Sequence, residues 1–274
     1  MMSNELNQQN KGRIVIRLGR HHLSFSMMEP SQTEAPVTYE PYVMKSGISV
    51  AANLREALKG AALDRMGVRK ALVMVDVPVL LIPIEIFEEG KMDDMYNHSF
   101  PHKEQECVLY NVLPDLNAVA VFAINKDVKT VLDDNFGDVR IFVALSPVWR
   151  HLHRRSFTGV RGKLYGYLHD QKLDIFSFHQ NRFKFYNQFE TARAHDTLYF
   201  LLYVWKQQML NAEHDELHLV GEGLTDEQSE LISELRRYLQ NVYIINPSAE
   251  FNRAPVTKIK GMPFDLMALF TKGR

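Results

Sequence analysis

Three groups of residues in this 274-residue chain have types and spacings that could do chemistry. The first is a basic stretch of Arg150, His151, His153, Arg154, Arg155, Arg161 and Lys163. Cations this close together suit phosphate, on RNA or on a nucleotide, and Arg154, Arg155 and Arg161 are the candidate contacts. The other reading of such a run is a solvated linker. The second group is the eleven histidines. His21 and His22 are adjacent and face opposite ways on a strand; His151 and His153 share a face only if extended. His214 and His218 are four apart, but Leu217–Val220 reads as strand, not helix. None has a cysteine or acid at a ligand spacing, so the pattern points to no metal. The third is Gly221-Glu222-Gly223, which reads as a turn from a strand into a helix. Cys107, the only cysteine, has no neighbour that marks it as a nucleophile, and it excludes an intramolecular disulfide framework.

Composition sets the outer bounds. Lys and Arg number 32 against 33 Asp and Glu, for a net charge of -1, so no global basic field draws nucleic acid. Hydrophobic content of 46% supports a real core. The most apolar run, residues 78–87, carries Glu85, Pro78 and Pro83 and falls short of the ~20 residues of a membrane span. Residues 1–12 are polar without an apolar signal core, and are expected to be a disordered tail. The expected location is the cytoplasm.

The elements that must position these groups are clearest in residues 162–221. Residues 162–169, 172–179 and 182–189 are aromatic and β-branched runs, separated by Asp170-Gln171 and Gln180-Asn181. Two-residue breaks of this kind predict a three-stranded meander. A helix follows from Ala194 to about Leu210, apolar nearly all round and so expected to be buried on more than one side, with Asp196 near its start. Leu217–Val220 is a short strand, Thr225 with Gln228 forms a capping box for a second helix, and Val242–Ile245 is a last strand. The first half repeats the order: strands at 13–19, 23–28 and 37–44, a helix capped by Ser49, and the strand Ala71–Val75 ending at Asp76. Gly12-Arg13 precedes Leu18 and Leu23 by the spacings at which Gly162-Lys163 precedes Leu168 and Leu173. This predicts an internal duplication.

The expected organisation is therefore a first lobe at 13–154, interrupted by an insertion at 77–123, and a second lobe at 162–274. The insertion carries a short helix near Ile84–Phe87, a charged loop to Lys103 and a hairpin around residues 114–117. The aperiodic segment 154–161 is the expected boundary. Met262–Met267 forms an apolar segment expected to dock on the body or on a partner.

A duplicated β-β-β-α-β-α-β unit resembles the ribonuclease H-like fold, and two copies resemble the actin-like ATPase architecture, an α/β fold of mixed sheets. The chain also resembles the bacterial domain-of-unknown-function family number 3822. That resemblance rests on residues 16–25 (IRLGRHHLSF), residues 77–87 (VPVLLIPIEIF), Asn187-Gln188-Phe189 and Asp196-Thr197-Leu198-Tyr199. It covers about residues 13 to 246.

The resemblance implies a site to test. Actin-like ATPases hold phosphates on two strand-to-strand turns, with small residues and an acid for the metal. The first turn here is Leu18-Gly19-Arg20-His21-His22, which keeps Gly19 but has Arg17 and Arg20 where an acid is wanted. The second is Leu168-His169-Asp170-Gln171-Lys172, which has Asp170 and no glycine. Gly221 and Gly223 resemble the glycine turn placed against adenosine. ATP with Mg is the cofactor these positions would take, but the turns are degenerate. A ribonuclease H-type nuclease needs several strand-end carboxylates, and only Asp76 qualifies in the first half. The expected function is a non-catalytic actin-like interaction or regulatory protein with a protein partner and no cofactor. The alternative is a nucleotide-binding regulator or slow ATPase. A further alternative, implied by gene neighbourhood in the resembled family, is an accessory factor linked to ribosomal RNA methylation.

Overall fold

Two five-stranded sheets repeat one topology. The computed structural model describes residues 12–28, 37–60, 68–101, 103–157, 161–179, 182–191, 193–222, 224 and 230–271. Contacts group the chain into two units. One is Met1–Pro114, Ala118–Ser146 and Leu269–Arg274; the other is Asp115–Asn117 and Pro147–Ala268. The expected tail at 1–12, except Gly12, lies outside the described residues.

In the first unit, β1 (Arg13–Leu18), β2 (His22–Met28) and β3 (Val37–Val43) form the antiparallel meander. Helix α1 (Val50–Gly60) leads to β4 (Lys70–Val75), which pairs in parallel with β1. The inserted segment then adds β5 (Val79–Pro83), a 3₁₀ turn at Ile84–Ile86, helix α2 (Met92–Ser99), β6 (Glu106–Leu113) and β7 (Ala118–Asn125). Helix α3 (Lys126–Asn135), capped by the Asn125 side chain, leads to β8 (Asp138–Val143). The first sheet runs β3-β2-β1-β4-β8, and the insertion has its own sheet, β5-β7-β6. Asn111 on β6 ties the two together: its amide donates to Ile141 O at 3.0 Å and its carbonyl accepts from Val143 N at 3.0 Å. Arg13 pairs with Asp138 across the first sheet and holds that carboxyl below its ordinary value.

The expected charged loop before Lys103 contains helix α2, and the apolar run before it contains β5. Neither was expected, because α2 (MDDMYNHS) buries only Tyr96 and has almost no apolar stripe to read. Tyr96 packs with Ile82, Val119, Val121 and Ala123 in the core of the insertion.

The second unit opens with helix α4 (Ser146–Ser156), which continues to Ser156 where an aperiodic boundary was expected. Its Trp149 packs edge-on against Phe183 and Tyr186 at 5.2 and 5.1 Å, which ties the helix to the second sheet. The meander is β9 (Lys163–His169), β10 (Lys172–His179) and β11 (Arg182–Glu190). Helix α5 (Ala194–Gln207) begins where Asp196 accepts the Arg193 N–H at 2.9 Å. Then come β12 (Glu216–Gly221), helix α6 (Glu230–Leu235), β13 (Asn241–Ile244), helix α7 (Pro247–Glu250) and helix α8 (Phe264–Thr271). The sheet order is β11-β10-β9-β12-β13. It repeats the first sheet strand for strand, and the register repeats too: Leu18 pairs with Leu23 as Leu168 pairs with Leu173. Thr225, Gln228 and the Gln180-Asn181 turn lie outside the described residues.

One face of this sheet packs Leu164, Leu173 and Ile175 against Leu201, Val204 and Trp205 of α5 and Ile232 and Leu235 of α6. Helix α5 is not buried all round. Tyr199 and Tyr203 stack at 6.0 Å on its exposed side. The apolar tail segment docks on the body: Phe264 is buried against Phe251 at 5.1 Å.

Candidate functional site

The two turns that would carry phosphate are both closed hairpins. At the first, Gly19 N–H donates to His22 O at 2.9 Å, so only Arg20 and His21 form the tip. An anion site needs successive N–H groups turned outward, and this one is spent on the ladder. Arg17, in place of the expected acid, is buried within β1. Asp76 follows β4, and its N–H donates to Leu18 O at 2.9 Å.

The second turn is tighter. Lys172 pairs with His169, leaving Asp170 and Gln171 as a two-residue loop with φ of 46° and 60°. Positive φ at both positions is the type I′ hairpin turn, whose twist matches the flanking strands. Asp tolerates this region through local hydrogen bonding. The turn rests on a buried network. Asp174, wholly buried on β10, accepts from His169 Nε2 at 2.5 Å, Tyr186 Oη at 3.0 Å and Gln188 Nε2 at 3.1 Å. Tyr167 stacks on His169 at 4.4 Å. A carboxylate and imidazole in this geometry could move a proton, but both are buried under neighbours, which suits a structural clamp.

Gly221 is still inside β12. Its φ is 126°, and Glu222 N–H donates to Leu168 O at 2.9 Å. A Cβ there would lie 1.9 Å from Leu168 O, so the close strand approach and the positive φ both require glycine. Gly223 lies outside the described residues.

The basic stretch ends α4. Arg155 and His151 both bind the Glu250 carboxylate, His151 through Nε2 at 2.8 Å. The hydrogen bond from His151, helped by the Arg155 charge, holds Glu250 below its ordinary value. Arg161 lies 3.8 Å from Glu216. Arg154 is exposed and makes no ion pair among the described residues.

Sequence reasoning missed the second face of this sheet. Tyr243, His218, Tyr165 and Phe176 stack in one row across four strands, with ring centroids 5.1, 5.4 and 5.7 Å apart. The alternation of Lys163, Tyr165, Tyr167 and His169 on β9 was the available signal. Neither unit by itself brings three His, Cys, Asp or Glu ligand atoms together among the described residues.

Two buried histidines, His218 in this row and His153 on α4, predict a pH response. Burial lowers His218 and His153 from the ordinary imidazole value by disfavouring the charged ring. Below about pH 6.5 the unfolded chain therefore binds more protons than the folded one, and stability falls as pH falls. Glu250 adds to this at lower pH, since its lowered value makes its contribution vanish as pH drops through it. The unfolding temperature is expected to drop between about pH 7 and about pH 5, with a shallower slope in His218→Gln. An unchanged slope in the variant would contradict this.

The family model described as "Protein of unknown function (DUF3822)" matches residues 2–242. A solved structure from Bacteroides thetaiotaomicron VPI-5482, described as a protein with actin-like ATPase fold and unknown function, is 27% identical. The match covers 92% of this chain and 98% of that one, with a TM-score of 0.78. The PilM–PilN type IV pilus biogenesis complex is 12% identical, with 95% and 97% covered and a TM-score of 0.57. No curated protein matches the chain. The fold is that of actin-like ATPases, with mixed sheets of duplicated topology. No helix among the described residues is long and apolar enough to cross a membrane.

Proposed function

The chain belongs to the DUF3822 family of proteins of unknown function, and from that premise we propose that it is a non-catalytic actin-like interaction or regulatory protein of the cytoplasm. Its two lobes are ribonuclease H-like copies of one unit, and their phosphate turns have closed. The observation that carries this reading is the type I′ turn at Asp170-Gln171, which leaves no loop to wrap a phosphate. Gly19 and Gly221 serve strand pairing, and Asp170 serves the turn. With Gly223 they are relics of a nucleotide site. Arg155, neutralised by Glu250, is a poor contact for RNA, which weighs against the ribosomal RNA reading. PilM–PilN is described as a complex of two proteins, and the analogy of fold supports a protein partner here.

Adding millimolar ATP, ADP or GTP, with or without Mg²⁺, is expected to leave the unfolding temperature unchanged. A ligand of the folded state at ~100 Kd would add about 2.7 kcal/mol, which is readily seen. A Mg-dependent rise that Asp170→Ala removes would overturn the proposal.

A further inference from the structure

An open groove of about 520 Å³ lies between β5 and helix α2 in the first unit. Leu80, Leu81, Ile82 and Pro83 all line it. Successive residues of a strand point to opposite faces, so four in a row can share a groove only if it runs along the strand's edge. Among the described residues that edge is unpaired, since β5 closes its sheet and pairs there only with β7. Edge strands are ordinarily blunted by charge or proline; β5 (VLLIP) carries no charge, and its one proline, Pro83, stands at the last position and leaves the four residues before it able to pair. The far wall is Met95 and His98 of α2, and Ile86 stands at the rim, 61% exposed.

Charge indicates the occupant. Residues 85–94 hold Glu85, Glu88, Glu89, Asp93 and Asp94 against Lys91 alone. Lys91 is taken by Glu88 at 2.7 Å. Asp94 is exposed and lines the groove. An apolar trough along a strand edge unpaired among the described residues, with Asp94 in its wall and an acidic stretch of chain beside it, fits an extended chain that offers its own backbone, apolar side chains at alternate positions, and lysine or arginine between them.

We infer that this groove captures a partner protein by adding an extended, apolar and basic segment of that partner to the edge of β5. The inference names the partner chemistry for the interaction reading above and rests on that reading.

The test is fluorescence polarisation of the full chain with a labelled peptide alternating valine or leucine with lysine. Two control peptides carry glutamate for lysine, or N-methylated alternate amides. Saturable binding of the lysine peptide alone is expected, weakened about tenfold or more in Ile86→Asp. Asp94→Lys is expected to weaken the lysine peptide and strengthen the glutamate one. Both positions are exposed, so an unchanged unfolding temperature verifies that each variant is folded. Three results would overturn the inference: no binding, equal binding of either control, or binding indifferent to Ile86→Asp. So would self-association of the chain that Ile86→Asp abolishes, because a second copy would then fill the groove. Peptide failure without nucleotide binding removes the groove and leaves the interaction reading standing. Mg-dependent nucleotide binding removes that reading and is measured independently of the peptide.

Discussion

Gly221→Ala is expected to destabilise the chain by more than about 4 kcal/mol, and in a marginally stable domain to stop it folding. Two costs combine. The φ of 126° lies where L side chains rarely go, and the new Cβ would meet Leu168 O at 1.9 Å and Leu168 C and N at 2.8 Å. Those are backbone atoms, so no rotamer change relieves the clash. Relief requires parting β12 from β9, which also breaks the Glu222-to-Leu168 hydrogen bond. Urea denaturation measures the loss. A small change would mean that β12 ends before Gly221 and that the glycine is free to serve a ligand.

Asp174→Ala is expected to cost about 3–5 kcal/mol. The substitution removes the one carboxylate on which donors of His169, Tyr186 and Gln188 converge. A buried donor left without its acceptor loses its desolvation energy with nothing in return. Asp174→Asn, whose amide keeps one acceptor oxygen, is expected to lose less. Equal losses in the two variants would show that the charge, not the acceptor geometry, matters. A loss below about 1 kcal/mol would mean the network is not a clamp.

Both residues bear on what could be read in advance. The meander was legible because Asp170-Gln171 separates two aromatic runs by two residues, and that spacing alone selects a tight hairpin. The duplication was legible because Leu168 and Leu173 sit where Leu18 and Leu23 sit, and the paired registers agree. Helix α2 was not legible, since one buried tyrosine makes no stripe. Nor was the aromatic row. It joins Tyr165 to His218 and Tyr243, and adjacency across a parallel sheet leaves no local pattern. The basic stretch shows the same limit. Arg155 reads as a free cation until the fold brings Glu250, 95 residues away, against it. Gly221 had two readings in sequence, a plain strand-to-helix turn and a glycine turn against adenosine, and its 1.9 Å approach to Leu168 O, which depends on the paired strand, was legible in neither.

The most direct test of the central claim is equilibrium dialysis of the full chain against labelled ATP with Mg²⁺, carried to millimolar nucleotide. A fold that keeps the actin-like sheets but has closed its phosphate turns retains no more label inside than outside. Saturable, Mg-dependent retention that Asp170→Ala abolishes would contradict the account and restore the turn as a working phosphate site.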